Sequence, residues 1–127
     1  MLTPYIRTVN DGVVAALQAR GLDVVSFASY EERDDNQSGR ISVPEIIRAS
    51  VALAADRDVD GVFVSCTSLR TIDAIPAIEA ASGKPATSSN HGMIWHMLRQ
   101  AGIDEPIAGL GRLFERGIVG QRAVAAE

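Results

Sequence analysis

The sequence predicts an α/β fold: a parallel sheet of about four strands with helices on both faces. Short apolar runs alternate with segments of helical periodicity along the chain, an alternation typical of parallel sheets. The composition agrees, because 46% of the 127 residues are hydrophobic and 22% are charged, as in folded globular chains. A chain of this length can bury one core, so we expect a single domain over residues 1–127.

The first part of the chain predicts a helix, a strand and a loop. Apolar residues recur at helical spacing over residues 7–20, and Gly21 follows as a natural end to that helix. The run DVVSFAS, residues 23–29, predicts a buried strand. The charged segment at residues 30–40 has no period, so it predicts a loop.

The next helix has a clear start signal. Ser42 and Glu45 have the spacing of a capping box, and Pro44 lies in the first turn, so we expect a helix over about residues 43–56. The run DGVFVS, residues 60–65, then predicts the third strand of the sheet.

The second half predicts two more helices around a short strand. Residues 67–82 have helical character up to Gly83, with a break or kink at Pro76. A short strand, PATSS, precedes a helix that Ser89 or Asn90 would cap and that runs up to Gly102. The remainder predicts a glycine-punctuated turn and a weaker helical stretch up to Glu127.

Polar side chains follow each predicted strand, at residues 3–5, 34–37, 66–68 and 88–91. Because parallel strands with right-handed crossovers end at one edge of a sheet, these residues should share a surface. They include hydroxyls, amides and the only cysteine, Cys66, but no glycine-rich phosphate loop and no metal-ligand spacing. A helix beginning directly after Cys66 would attract an anion and favour its thiolate, so a carboxylate ligand suits this edge.

Several motifs, taken in their order along the chain, resemble the aspartate/glutamate racemase superfamily. The similarity is strongest to its branch of maleate cis-trans isomerases, ectoine-utilisation proteins and arylmalonate decarboxylases. The motifs are TPY at Thr3–Tyr5 followed by Asn10, SCTSLRT at 65–71, GKP at 83–85, SSNHGMIWHMLRQAGI at 88–103 and GLGRLFE at 109–115. The resemblance implies one lobe, the C-terminal one, of a two-lobed enzyme that needs no cofactor and no metal.

The resemblance also implies roles for three residues. Cys66 would transfer a proton at the carbon beside a carboxylate, or add as a thiolate to the double bond of a cis-dicarboxylate. Thr67 would offer its backbone N–H and hydroxyl to a carboxylate, and Tyr5 would contact the substrate. The alternatives are a small buried hydrophobe for Cys66, plain helix capping for Thr67 and a half-buried core position for Tyr5.

Two amides complete the expected substrate-binding set. Asn36 matches the position of a carboxylate-binding amide, with a solvated turn asparagine as the alternative. Asn90 would face the cleft, with a helix cap as the alternative, and His91 would either face the same cleft or be exposed.

The resemblance implies an isomerase or racemase, similar to maleate isomerase, acting on a small carboxylate or dicarboxylate. The alternatives are a decarboxylase that uses one cysteine, or a non-catalytic half that binds a small acid or a partner chain. Since the family has two lobes, we expect a homodimer or association with a first-lobe chain. The net charge of −4 and the single lysine, Lys84, argue against nucleic acid, and the absence of a signal-peptide pattern or long apolar run predicts a cytoplasmic protein with no membrane partner.

Overall fold

In the computed structural model, which describes residues 1–116, a four-stranded parallel sheet has the strand order β2-β1-β3-β4. The strands are β1 (Leu2–Thr3), β2 (Ala28–Ser29), β3 (Val62–Val64) and β4 (Ala86–Ser88). The helices are α1 (Arg7–Gln18), α2 (Asp35–Ser38), α3 (Val43–Ala54), α4 (Ala74–Ser82), α5 (Ser89–Gln100) and α6 (Arg112–Glu115). The predicted fold class is confirmed. The helical stretch expected after α6 lies outside the described residues.

The direction of each crossover distributes the helices over the sheet. The chain moves one way across the sheet from β1 to β2 and the other way from β2 to β3 and from β3 to β4. Right-handed crossovers therefore place α1 on one face and both α3 and α4 on the other. On that second face α3 and α4 pack together, and Ile46 of α3 and Ile75 of α4 join Val64 of β3 in the core.

The prediction of a buried strand at residues 23–29 is wrong for residues 23–27. Only Ala28 and Ser29 pair with β1, and Val25 and Phe27 are 54% and 42% exposed. The cause is the position of β2 at the edge of the sheet, where a strand has a neighbour on one side only.

The capping signal of α3 is confirmed in its main part. The Ser42 hydroxyl accepts a hydrogen bond from the Glu45 N–H at 3.3 Å, and Pro44 lies in the first turn. The Glu45 carboxylate does not return to the cap, because it accepts a hydrogen bond from Arg48 at 2.6 Å.

The helix predicted from residue 67 begins later than expected. Residues 67–73 form turns, and α4 starts at Ala74. Pro76 consequently lies in the first turn of α4, where a missing N–H costs no intrahelical bond, so no kink is needed. The helix still ends at Gly83, which has a left-handed conformation with φ of +71°.

Two other boundaries also differ from expectation. The loop predicted at residues 30–40 contains α2, because Asp34 accepts a hydrogen bond from the Asn36 N–H and caps that helix. The cap of α5 is Ser88 rather than Ser89 or Asn90, since the Ser88 hydroxyl accepts from the His91 N–H at 3.2 Å.

A buried carboxylate joins the last part of the described chain to the sheet. Glu79 of α4 is 5% exposed and accepts hydrogen bonds from the Ala86 N–H at 2.9 Å and the Arg112 N–H at 2.8 Å. Gly111, with φ of +89°, brings the backbone close to that carboxylate. Within residues 1–116, none of the helices combines the length and the apolarity that crossing a membrane requires.

Candidate active site at the carboxyl ends of the strands

Cys66 lies two residues beyond β3 in a backbone conformation that cysteine rarely adopts. Its φ is +107°, and a non-glycine residue in such a region costs about 1–3 kcal/mol, which the surrounding structure must offset. The residue is 5% exposed and belongs to the hydrophobic core cluster. Cys66 is therefore buried, as the hypothesis of a small core residue predicts. It also lies at the end of a strand, as the hypothesis of a reactive thiol predicts.

Hydrogen bonds connect the turn at Cys66 to the start of α5. The Cys66 N–H donates to the Ser89 hydroxyl at 3.1 Å, and the Asn90 side-chain amide donates to the Thr67 carbonyl at 2.9 Å. Within the turn, the Ser68 N–H approaches the Cys66 sulfur at 3.4 Å. A backbone N–H near this sulfur stabilises a thiolate more than a thiol.

The expected helix N-terminus at Cys66 is not present. Because α4 begins at Ala74, no helix dipole points at the thiol from residues 67 or 68. The donor at the sulfur is instead the N–H of Ser68 in the turn.

Tyr5 lies two residues beyond β1 with its hydroxyl near Cys66. The Ser65 hydroxyl donates to the Tyr5 oxygen at 3.5 Å. Burial raises the pKa of Tyr5 above its ordinary value; the Ser65 hydrogen bond acts in the opposite direction, while the charge and hydrogen bonding of Cys66 raise the pKa further. Tyr5 therefore keeps its proton at neutral pH and can donate it in a hydrogen bond.

The backbone at Tyr5 is held by two buried or half-buried polar side chains. The Asn10 amide donates to the Tyr5 carbonyl at 2.7 Å, and the Ser29 hydroxyl donates to the same oxygen. Thr3 completes this arrangement by donating to the Asn10 side-chain oxygen at 2.6 Å. Asn10, which belongs to the motif that begins at Thr3, and Ser29 of β2 thus position the turn after β1.

Asn36 lies near the site but is not joined to it. The end of α2 approaches the turn after Cys66, since a Cβ placed on Gly39 would lie 3.6 Å from the Ser68 carbonyl. The hydrogen bond of Asn36 is made by its backbone N–H to Asp34 at 2.8 Å. Among residues 1–116, no hydrogen bond joins the Asn36 side chain to Tyr5, Cys66 or Thr67.

His91 is neither exposed nor on the surface of the site, so both predictions for this residue, facing the cleft or being exposed, are wrong. It is fully buried, with Nε2 2.6 Å from the Leu110 carbonyl oxygen and Nδ1 3.1 Å from the Thr87 hydroxyl. Its ring also packs against Phe114 with the ring centroids 4.6 Å apart. His91 therefore attaches the segment around Leu110 and Phe114 to α5.

Ser89 is a site residue that the sequence did not predict. The sequence predicts it only as a helix cap, whereas its hydroxyl accepts a hydrogen bond from the Cys66 N–H. The adjacent serines Ser88 and Ser89 are the sequence feature that could have indicated this contact. One hydroxyl suffices for the helix cap, and the second can bind another partner. In the part of the chain that the structure describes, no group of three or more His, Cys, Asp or Glu side chains could hold a metal ion.

Comparison with known proteins gives a family match along almost the whole chain. The family model described as arylmalonate decarboxylase matches residues 1–114. The arylmalonate decarboxylase of Bordetella bronchiseptica is 32% identical over 117 residues, which cover 91% of this chain and 49% of that protein. The chain spans about half the length of the curated relatives it matches.

Solved structures agree with the fold and with the resemblance. A crystal structure of arylmalonate decarboxylase superposes with a TM-score of 0.79 at 32% identity, over 90% of this chain and 51% of that one. A Nocardia farcinica maleate cis-trans isomerase mutant with a covalently bound succinylcysteine intermediate gives a TM-score of 0.81 at 26% identity, over 90% and 46%. The resemblance to the aspartate/glutamate racemase superfamily is confirmed, and the sheet matches one lobe of these proteins.

Proposed function

Because the chain belongs to the arylmalonate decarboxylase family, we propose that it forms the thiol-bearing lobe of a cofactor-independent enzyme acting on small carboxylates. The observation that carries this proposal is the grouping of the Cys66 thiol, the Tyr5 hydroxyl and the Ser68 N–H beyond the ends of β1 and β3. Residues 1–127 are then one α/β lobe, equivalent to the C-terminal lobe of the longer relatives. Within that lobe, Cys66 is the catalytic residue.

Decarboxylation is the reaction for which one thiol suffices. When one carboxylate of an arylmalonate leaves as CO₂, its bonding electron pair passes to the α-carbon and the remaining carboxylate as an enediolate. The Cys66 thiol then gives its proton to that carbon, and the resulting thiolate takes a proton from water. The Ser68 N–H and the Tyr5 hydroxyl stabilise the thiolate, while the exposed Thr67 offers its hydroxyl and N–H to the carboxylate.

Isomerisation of a cis-dicarboxylate is the second candidate, and it was the first expectation from the sequence. The Cys66 thiolate would add to one alkene carbon, and the electron pair of the double bond would move toward the neighbouring carboxylate. Rotation about the new single bond and expulsion of the thiolate would give the trans isomer. The succinylcysteine intermediate in a cysteine-to-serine mutant of the Nocardia farcinica isomerase supports thiol addition in that enzyme by a cysteine other than the replaced one, and the higher identity to the decarboxylase favours the first candidate.

Asn90 and Asn36 have different places in this proposal. Asn90 donates to the Thr67 carbonyl and so helps to hold the turn in which Thr67 lies. Asn36 is exposed on α2, and its side-chain amide would reach a carboxylate from there.

Turnover of two substrates, followed side by side by proton NMR, tests the function. Phenylmalonate should yield phenylacetate, and maleate should yield fumarate if the second candidate holds. Conversion of either substrate supports the enzyme proposal and selects the reaction. Binding of both without conversion would instead support a non-catalytic half that holds a small acid.

The Tyr5 hydroxyl provides a graded test of the same site. Tyr5→Phe should lower kcat/KM about 10- to 100-fold, because a hydrogen-bond donor to the thiolate or substrate is lost while the ring remains. Tyr30→Phe is the matched control, since the Tyr30 hydroxyl contacts the Glu45 carbonyl at 3.4 Å, away from Cys66. Equal activity in the two variants would remove Tyr5 from the proposed site.

We also propose that a second copy of the chain takes the place of the other lobe. The relatives are about twice as long, and apolar side chains are exposed on helices that start at the same edge as the site. Val9 in the first turn of α1 is 46% exposed, and Met93 and Met97 of α5 are 52% and 62% exposed. Large exposed apolar surfaces commonly mark an interface.

Sedimentation velocity at micromolar concentration tests the association. The wild-type chain should sediment as a dimer, and Met97→Glu should shift it to monomer because a charge would be buried at the interface. Gln100→Glu, also exposed on α5, is the charge-matched control and should leave the dimer intact. A wild-type monomer at every concentration would contradict the homodimer and leave a separate first-lobe chain as the remaining partner.

A further inference from the structure

Cys66 has a backbone conformation that is unfavourable for cysteine, so contacts with the rest of the fold must stabilise it. Among residues 1–116, only Cys66 and Glu31 have positive φ without being glycine. Glu31 has φ of +53° in an exposed loop, whereas Cys66 has φ of +107° and is buried. A buried non-glycine residue keeps such a conformation only when surrounding contacts hold it.

The first turn of α5 provides those contacts. Ser89 accepts the hydrogen bond of the Cys66 N–H at 3.1 Å, and Asn90 donates to the Thr67 carbonyl at 2.9 Å. Two successive residues of the turn are therefore each bound by one of two successive side chains of one helix.

The helix that provides these contacts is itself fixed in place. Ser88 caps α5 and lies 2.6 Å from the Thr71 hydroxyl, and both residues are buried. His91 is fully buried in the same turn. The position of α5 is therefore fixed, and the hydrogen bond to Ser89 fixes the Cys66 N–H relative to that helix.

We propose that Ser89 is a positioning residue that holds Cys66 in its left-handed conformation and so directs the thiol toward Tyr5 and the Ser68 N–H. This inference rests on the proposed function, since it explains how the reactive thiol of that function is oriented. Without the Ser89 hydroxyl, the Cys66 N–H is buried without an acceptor and φ is free to return to negative values. Because φ sets the direction of the Cα–Cβ bond, the sulfur then leaves the Tyr5 hydroxyl and the Ser68 N–H.

The test uses the pH dependence of iodoacetamide labelling, read by intact mass, because Cys66 is the only cysteine. Ser89→Ala should move the labelling profile to higher pH and slow labelling at neutral pH about tenfold, since the thiolate loses the Ser68 N–H. Ser89→Thr keeps a hydroxyl and should restore the wild-type profile. Ser42→Ala, which removes the cap of α3 away from Cys66, should leave the profile unchanged.

A second pair of variants covers the case in which Ser89→Ala does not fold. Glycine adopts positive φ without strain, so Cys66→Gly should make Ser89→Ala less destabilising than it is in the wild-type background. An unchanged labelling profile in folded Ser89→Ala, or an equal loss of stability in both backgrounds, would overturn the proposal. Because neither readout requires turnover, a shifted profile in a chain without activity would uphold the positioning role and reject the proposed function.

Discussion

Replacement of Cys66 by serine is expected to lower turnover of phenylmalonate or maleate at least about 100-fold while the fold is retained. Serine has nearly the size of cysteine, so the packing and the left-handed backbone survive, but a hydroxyl is a far weaker acid and a far weaker nucleophile than a thiol. Thermal unfolding should confirm that the variant is folded, and NMR progress curves should give the rate. Serine that retained more than about a tenth of the wild-type rate would show that the thiol is not the reacting group.

Replacement of Gly111 by alanine is expected to destabilise the protein by about 2–4 kcal/mol, since it combines steric overlap with a strained backbone. A Cβ at this position would lie 2.9 Å from the Ile75 side chain and 3.0 Å from the Glu79 carboxylate oxygen. Its φ of +89° is also a conformation that alanine disfavours. Denaturant unfolding should show the loss as a lower midpoint with an unchanged slope.

Gly102→Ala separates the two causes. Gly102 has a similar φ of +78°, but a Cβ there would meet nothing within 4 Å. Its cost should therefore be the backbone cost alone, about 1 kcal/mol. Equal destabilisation by the two variants would show that the close contact with Glu79 and Ile75 contributes nothing.

The parts of the fold that were predictable are those with a local signal. The apolar periods predicted α1 and the strands β3 and β4, and the Ser42 signal predicted the start of α3. The start of α4 was not predictable, because residues 67–73 have helical composition but form turns around Cys66. That error also produced the expected kink at Pro76, whose effect depends on its distance from the helix start.

The location of the candidate site at the carboxyl ends of the strands was predictable, but the contacts within the site were not. The edge rule for parallel sheets brings Tyr5, Cys66 and Asn90 to one side of the fold, and the structure places them there. The positive φ of Cys66 was not predictable, because it depends on a hydrogen bond to Ser89, 23 residues away. The side chain of His91 gave no local signal of burial, because its partners lie in the segment around Leu110.

Protection of Cys66 from iodoacetamide by an arylmalonate tests the central claim most directly, because it asks whether the thiol lies within a carboxylate-binding site. The measurement compares the labelling rate at increasing phenylmalonate with the rate at equal concentrations of its neutral dimethyl ester. We expect labelling to slow in a saturable way with phenylmalonate and to remain unchanged with the ester, since the proposed site recognises the charged carboxylates. Equal labelling rates in phenylmalonate, in the ester and in buffer would contradict the account.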